Sequence, residues 1–403
     1  MLKIRKSSIV VALGTLMLFR PPIIMQYTIL DRLVSLSVNA ISALVLVQWL
    51  LAKMKVDKWI IQTGVFFATL IVVTVANGGE MTYVFSAIKI FAAVLIWNGM
   101  IKKSPDHFLL VVKNTLFFLV LLNLASMILF PNGLVQIQRV ENEWNEYSVG
   151  WWIFGNKNTM IMWIFSLNIL AQNSLYLKKK YHKTYYKDVW MIGATILTAF
   201  LSKSSTTIIA IVLISSLPYI YSFFESQCRK EILSPNVILA SYIIFTVILI
   251  TSTQLELFKI VADIFDKDVT FTGRTSAWAQ AMVLIAKKPW FGYGMLNEQT
   301  FKNLLGAYAF VNAHNTLLQS IIEGGIVLGV QYLMTYYLLC KKIKRISDEY
   351  LRQKALLLMS MIVLGIAMSF EAYTDSLLFW NMFTLIYYTV EFIQGEHYYE
   401  KNV

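Results

Sequence analysis

Apolar runs of about 20 residues, the length that carries an α-helix across a bilayer, recur along the whole chain and are broken by short polar clusters. Twelve such runs fall near 7–26, 33–52, 59–77, 82–101, 107–130, 158–177, 187–202, 204–223, 236–254, 315–340, 355–373 and 376–394. Only Ser202-Lys203-Ser204 separates the seventh from the eighth. The pattern predicts an all-α, polytopic transmembrane helical bundle of about 12 spans, one integral membrane domain over 1–403.

The polar clusters alternate in sign. Basic ones occur at the N-terminus (KIRK), at Lys53, Lys55 and Lys58, at Lys102-Lys103, in KKKYHK (178–183), at Arg229-Lys230 and in KKIKR (341–345). The intervening ones are neutral or acidic: NGGEMT (77–82), the stretch with Glu141, Glu143 and Glu146, and EAYTDS (371–376). Basic loops face the cytoplasm, so both termini are expected there. Two long connections then fall on the outer face, 131–157 and 255–314. In the second, Trp278, Met282, Leu284 and Ile285, then Phe301, Leu304, Leu305 and Tyr308, recur at helical spacing. That predicts short amphipathic helices lying at the interface.

Composition agrees with the pattern. Hydrophobic residues make up 57% of the 403 positions and charged ones 14%, where a soluble domain carries roughly a quarter. The net charge of +12 resides in the orientation clusters and argues for no nucleic-acid partner. Cys228 and Cys340 lie far apart, as reduced structural thiols do. The N-terminal apolar run has no small-residue cleavage site and reads as a retained first span. No P-loop, no dinucleotide-binding glycine motif and no zinc-spaced His/Cys cluster occurs. Neither a cofactor nor a metal is expected.

Several residues stand out against this background. Thr272-Gly273-Arg274 and Lys287-Lys288-Pro289-Trp290-Phe291-Gly292-Tyr293-Gly294 place positive charge on the face where it is normally sparse. An arginine there can hold phosphate oxygens with its planar fork, and Gly292 and Gly294 around Tyr293 permit close approach of a ligand. The lysines can equally snorkel to lipid headgroups. His314 and Asn315 sit where the long connection re-enters the membrane, with Gln319 one turn on. A histidine can exchange a proton near neutral pH, or simply serve the structure. Glu323 lies two turns deeper, costly unless it has a function or a partner; with Gly324-Gly325 it can also mark a helix break. Asn158, in FGNKNTM, and Lys203, in LSKSSTT, occupy the same face as ligand residues or helix caps. Lys89, within the fourth run, costs about 2.5–3.5 kcal/mol on insertion scales and needs an acidic or aqueous neighbour. Lys113 is expected to snorkel inward.

TGRTSAWAQAMVLIAKKPWFGYG followed by AHNTLLQSIIEGGIVLG resembles the shared region of the O-antigen ligase and polymerase superfamily. The ordered set is Thr272-Gly273-Arg274, Trp278, Lys288-Pro289, Gly292 with Gly294, His314-Asn315, then a glycine-bearing apolar span. FGNKN resembles the family's entry to a middle span. Lys203 stands where the family often has arginine, which removes the bidentate fork. The resemblance implies a metal-independent, cofactor-free glycosyltransferase of the bacterial cytoplasmic membrane. Its donors would be undecaprenyl-diphosphate-linked oligosaccharides, with flippase and chain-length regulator proteins as partners. Arg274 would stabilise the leaving diphosphate, helped by Lys203, and His314 would take the acceptor's proton. Length and the lack of a C-terminal soluble domain favour a polymerase of capsule, exopolysaccharide or O-antigen. A ligase remains open, as does a flippase from a different class.

Overall fold

The computed structural model describes residues 14, 18–51, 56–103, 105–142, 145–180, 185–228, 233–251, 274–305 and 312–400. Half of the first expected span, residues 7–13 and 15–17, therefore lies outside the described residues. Each of the other eleven has a helix at its place. These are α1 (Thr28–Leu51), α2 (Lys58–Ala76), α3 (Met81–Lys103), α4 (Pro105–Leu129), α5 (Ile161–Lys180), α6 (Tyr186–Ser202), α7 (Ser205–Cys228) and α8 (Pro235–Thr251). After the long connection come α11 (Thr316–Lys344), α12 (Leu351–Phe370) and α13 (Leu377–Glu400), with α9 (Arg274–Lys287) and α10 (Glu298–Leu305) inside it. Among the described residues, six helices are long and apolar enough to cross a membrane, and three shorter ones are apolar. The chain is a helical, multi-pass membrane protein.

Two of the helices begin on side-chain caps that the sequence supplies. Asp57 accepts the Ile60 N–H at 2.9 Å to start α2, and Asn315 accepts the Leu318 N–H at 3.0 Å to start α11. Helix α12 is buried along nearly its whole length, whereas α1 shows most of its apolar side chains outward. That is the arrangement for a peripheral helix whose solvent is lipid.

Three expectations change. The fold is not all-α throughout: the 131–157 connection, expected as an outer loop, carries an antiparallel hairpin, β1 (Val135–Asn142) and β2 (Asn145–Trp151). Its alternation of Val135 and Ile137 with Gln136 and Gln138 has the period of a strand. Lys113 does not snorkel. Its Nζ donates to Asp188 Oδ1 at 2.6 Å and to Ser174 Oγ at 2.7 Å, a buried pair joining α4, α5 and α6. In α9 the covered face is Trp278, Ala281 and Leu284, packed on Leu318 and Ile322 of α11, while Met282 points outward.

Helix α11 breaks at Gly324 (φ −130°, ψ 15°) and Gly325 (φ 67°, ψ −170°). The chain from Pro289 to Gly294 lies alongside the break and meets its freed backbone groups. Tyr293 N–H donates to Ile322 O at 2.9 Å, Gly294 N–H to Glu323 O at 2.8 Å, and Ile326 N–H to Pro289 O at 2.7 Å. A broken helix inside a membrane is tolerated only when such partners are supplied. The fit leaves no room for side chains: a Cβ on Gly325 would lie 2.0 Å from the Trp290 carbonyl carbon, and one on Gly292 2.3 Å from Ile322 O.

Candidate active site

Glu371 is the residue on which the site converges. It caps the C-terminus of α12 in extended conformation, and its carbonyl accepts the Thr316 hydroxyl at 2.7 Å, tying the end of α12 to the start of α11. Its carboxylate receives three side chains from distant segments. Arg274 Nη2, at the first residue of α9, donates to Oε1 at 2.6 Å. Asn158 Nδ2 reaches the same oxygen at 3.4 Å. His314 Nδ1 lies 3.4 Å from Oε2. Ser204 Oγ then donates to Asn158 Oδ1 at 3.1 Å, which extends the network to the turn between α6 and α7.

The side chains of Arg274, Glu371 and His314 keep 13%, 16% and 24% of their surface. They are sheltered but reachable, as a site for a partly dehydrated anion requires. Burial alone would raise the Glu371 carboxyl; the His314 hydrogen bond and the Arg274 charge outweigh it and hold the group below the usual carboxylate range. Among the described residues no three His, Cys, Asp or Glu side chains come together as a metal would need.

Backbone strain marks the same place. Among the described residues, the two non-glycine positions with left-handed φ are Lys203 (52°) and His314 (44°). Such a conformation costs a bulky residue about 1–2 kcal/mol and persists where surrounding structure enforces it. For His314 the enforcement is visible. Its N–H donates to Asn312 Oδ1 at 2.8 Å, and the next residue is locked as the α11 cap. Lys203 closes α6, its N–H on Phe200 O at 3.2 Å, with its side chain exposed one residue from Ser204.

The remaining candidates sort by position. Thr272 and Gly273 lie outside the described residues. Asn315 donates to Ser369 O at 3.1 Å besides capping α11, and Gln319 accepts the Ala313 N–H at 2.9 Å and donates to Glu323 Oε1 at 2.8 Å. Both amides are engaged within the protein and shape the approach to His314. Lys288, Gly292, Tyr293 and Gly294 follow the other end of α9, about 21 Å from Arg274 along a helix of 14 residues. There Lys288 Nζ donates to Asn77 Oδ1 at 2.7 Å and lies 4.7 Å from the Tyr293 ring centroid. What approaches Gly292 and Gly294 closely is the protein's own backbone, Ile322 in one case and Thr74 in the other.

Sequence reasoning missed Glu371 and Ser204. Glu371 was visible only as part of an acidic connection, EAYTDS, used for orientation. The signal that it offered was an ionisable residue at a span end on the face that carries Arg274 and His314.

Residues 190–333 match the family model described as O-antigen ligase. Over this region, which is less than half of the chain, the protein is similar to that family. The match spans Lys203, Arg274 and His314, while Asn158 and Glu371 are brought to them by the fold from outside it. Proteins of the superfamily are glycosyltransferase-like enzymes acting on lipid-linked glycans. The chain finds no match among curated proteins.

Proposed function

We propose that the protein is a polysaccharide polymerase. It would join undecaprenyl-diphosphate-linked oligosaccharide units at the outer face of a bacterial cytoplasmic membrane, in a twelve-span arrangement with both termini inside. The observation that carries the reading is the convergence of Arg274 and His314 on the two oxygens of Glu371. A cation for a leaving diphosphate and an imidazole for an attacking hydroxyl are thereby held on the two oxygens of one carboxylate.

The chemistry follows from that arrangement. The acceptor hydroxyl oxygen attacks the donor's anomeric carbon, and the bond from that carbon to the diphosphate oxygen breaks with its electron pair leaving on the diphosphate. Arg274, with five N–H donors, stabilises that growing charge without releasing Glu371, and exposed Lys203 adds a second positive charge. His314 takes the hydroxyl proton, and Glu371 stabilises the imidazolium so formed. In this scheme Asn158 and Ser204 orient the carboxylate rather than touch the sugar.

The description of the matched family favours a second reading, a ligase that moves the glycan to a different acceptor. One experiment separates the two. Purified protein is mixed with lipid-diphosphate-linked repeat units, alone or with an added core or cell-wall acceptor. A ladder of products that Arg274→Ala and His314→Ala both abolish supports the polymerase. Transfer to the added acceptor alone makes it a ligase. Silence with every acceptor from a folded protein rejects both and turns attention to a flippase.

A further inference from the structure

Glu323 has no role in the scheme above, and its position is a costly one. It lies about 10 Å along α11 from Thr316, the first residue of that helix, and it is buried. A carboxyl group at that depth in a membrane needs a function or a partner. Among the described residues its carboxyl group makes one hydrogen bond, at Oε1, while Oε2 is buried and meets no partner.

That one bond leads to the active site. Gln319 and Glu323 are four residues apart and share a face of α11. The Gln319 amide is a bridge: its Nε2 donates to Glu323 Oε1 at 2.8 Å, and its Oε1 accepts the Ala313 N–H at 2.9 Å. A backbone N–H can only donate, so Ala313 requires the amide oxygen, and the amide nitrogen must then find an acceptor on its other side. Glu323 is that acceptor. Ala313 directly precedes His314, whose left-handed φ of 44° persists only where neighbours enforce it.

The far end of this chain of bonds is anchored. Glu323 O accepts the Gly294 N–H at 2.8 Å, Ile322 O accepts the Tyr293 N–H at 2.9 Å, and α11 breaks at the next residue, Gly324. Residues 316–323 are thus a two-turn segment fixed at both ends. Asn315 and Thr316 tie its start to the end of α12, at Ser369 O and Glu371 O, and the 289–294 segment holds its other end. The Glu323 carboxyl group springs from a fixed point, and Gln319 passes that fixity to the turn that presents the imidazole.

We propose that Glu323 is a positioning residue for His314. By fixing the Gln319 amide it holds the Ala313–His314 turn, and so keeps the imidazole against Glu371, Nδ1 to Oε2 at 3.4 Å. The assignment rests on the glycosyl-transfer reading given above, in which His314 takes the acceptor's proton. It also gives the 289–294 segment a part in the chemistry, although that segment follows α9 about 21 Å from Arg274. Its backbone docks on the break in α11, and the docked break holds Glu323 still.

Two readouts test this, one of them independent of turnover. The first is the rate at which diethyl pyrocarbonate modifies His314, followed by mass spectrometry with His107, at the start of α4, as internal control. The second is glycan transfer from lipid-diphosphate-linked repeat units, with kcat and donor KM measured separately. Glu323→Met and Gln319→Met remove the bond at either end with little change of volume. Each should speed the modification of His314 several-fold and leave His107 as in wild type. Each should lower kcat about tenfold or more while donor KM stays within about twofold, and the double variant should be no worse than either alone. In the exchange variant, Gln319→Glu with Glu323→Gln, a carboxylate oxygen still accepts the Ala313 N–H and the amide at position 323 donates back to it. Its kcat and its His314 reactivity should return most of the way to wild type, and it decides the matter if a methionine variant does not fold. An exchange variant that fails to fold, or folds without activity, would overturn the proposal, since the carboxyl group at 323 would then serve something other than Gln319. Folded methionine variants with unchanged His314 reactivity, or with additive losses of kcat, would overturn it as well. A wild-type protein that transfers no glycan, in which Glu323→Met still exposes His314, would refute the transfer reading and leave the positioning role standing.

Discussion

Arg274 and Glu371 lie 97 positions apart and meet at 2.6 Å, which closes the long connection against the end of α12. The pair does two things at once: it fixes where α9 begins and keeps a guanidinium beside His314. Glu371→Gln preserves shape and removes the charge, leaving Arg274 sheltered without a counter-ion. Removing one member of a buried pair costs on the order of 3 kcal/mol. A lower thermal midpoint is expected, together with at least a tenfold loss of turnover, and Glu371→Asp should recover part of both. Equal activity in Glu371→Gln would show that the carboxylate is only a structural clasp.

The pH response follows from the direction of the Glu371 shift. A carboxyl held below its usual range contributes stability that is present above the unfolded value, near 4.3, and is lost as pH falls through the folded one. The wild-type contribution should therefore be constant from neutral pH down to about 5. In Arg274→Ala one of the opposing influences is gone and burial gains ground, so the carboxyl rises. A raised carboxyl destabilises the fold more as pH increases. The stability gap between Arg274→Ala and wild type should narrow between pH 7 and pH 5, as read by thermal unfolding. A gap that widens on acidification contradicts the role given to Glu371.

The helices were legible because their signal is local. Runs of apolar residues bounded by charge specify a membrane helix without any knowledge of neighbours. Arg274 and His314 were legible for a different reason, since they belong to an ordered set of motifs within one stretch of chain. Glu371 belongs to no motif, and only the antiparallel return of α12 beside α11 brings it to them. Lys113 shows the same limit: its distance from a helix end is local, but Asp188 on α6 is known only from packing. Gly292 and Gly294 were read as room for a ligand, because a sequence shows that a close approach is allowed and not what approaches.

Gly325 and Gly292 should tolerate no side chain. Alanine at Gly325 would need a left-handed φ of 67° as well as space already filled by Trp290. Strain of about 1–2 kcal/mol adds to an overpacking cost of about 1–3 kcal/mol. Gly325→Ala should lower the thermal midpoint sharply, while Gly193→Ala, with open space at its Cβ, serves as the control and should change little. If Gly325→Ala and Gly193→Ala unfold alike, the α11 break is not held by the Pro289–Gly294 segment.

Lys203 allows stability and function to be pulled in opposite directions. Its φ of 52° is one that glycine adopts freely. Lys203→Gly should relieve strain of about 1 kcal/mol and raise the thermal midpoint, even though glycine loosens the unfolded chain. The same substitution deletes a positive charge beside the Ser204–Asn158–Glu371 network. If that charge helps to hold the donor's diphosphate, Lys203→Gly will raise the donor KM while the protein becomes more stable, and Lys203→Arg will restore or improve it. A stabilised Lys203→Gly protein with unchanged donor KM would mean that Lys203 only closes α6, and that Arg274 faces the leaving group without it.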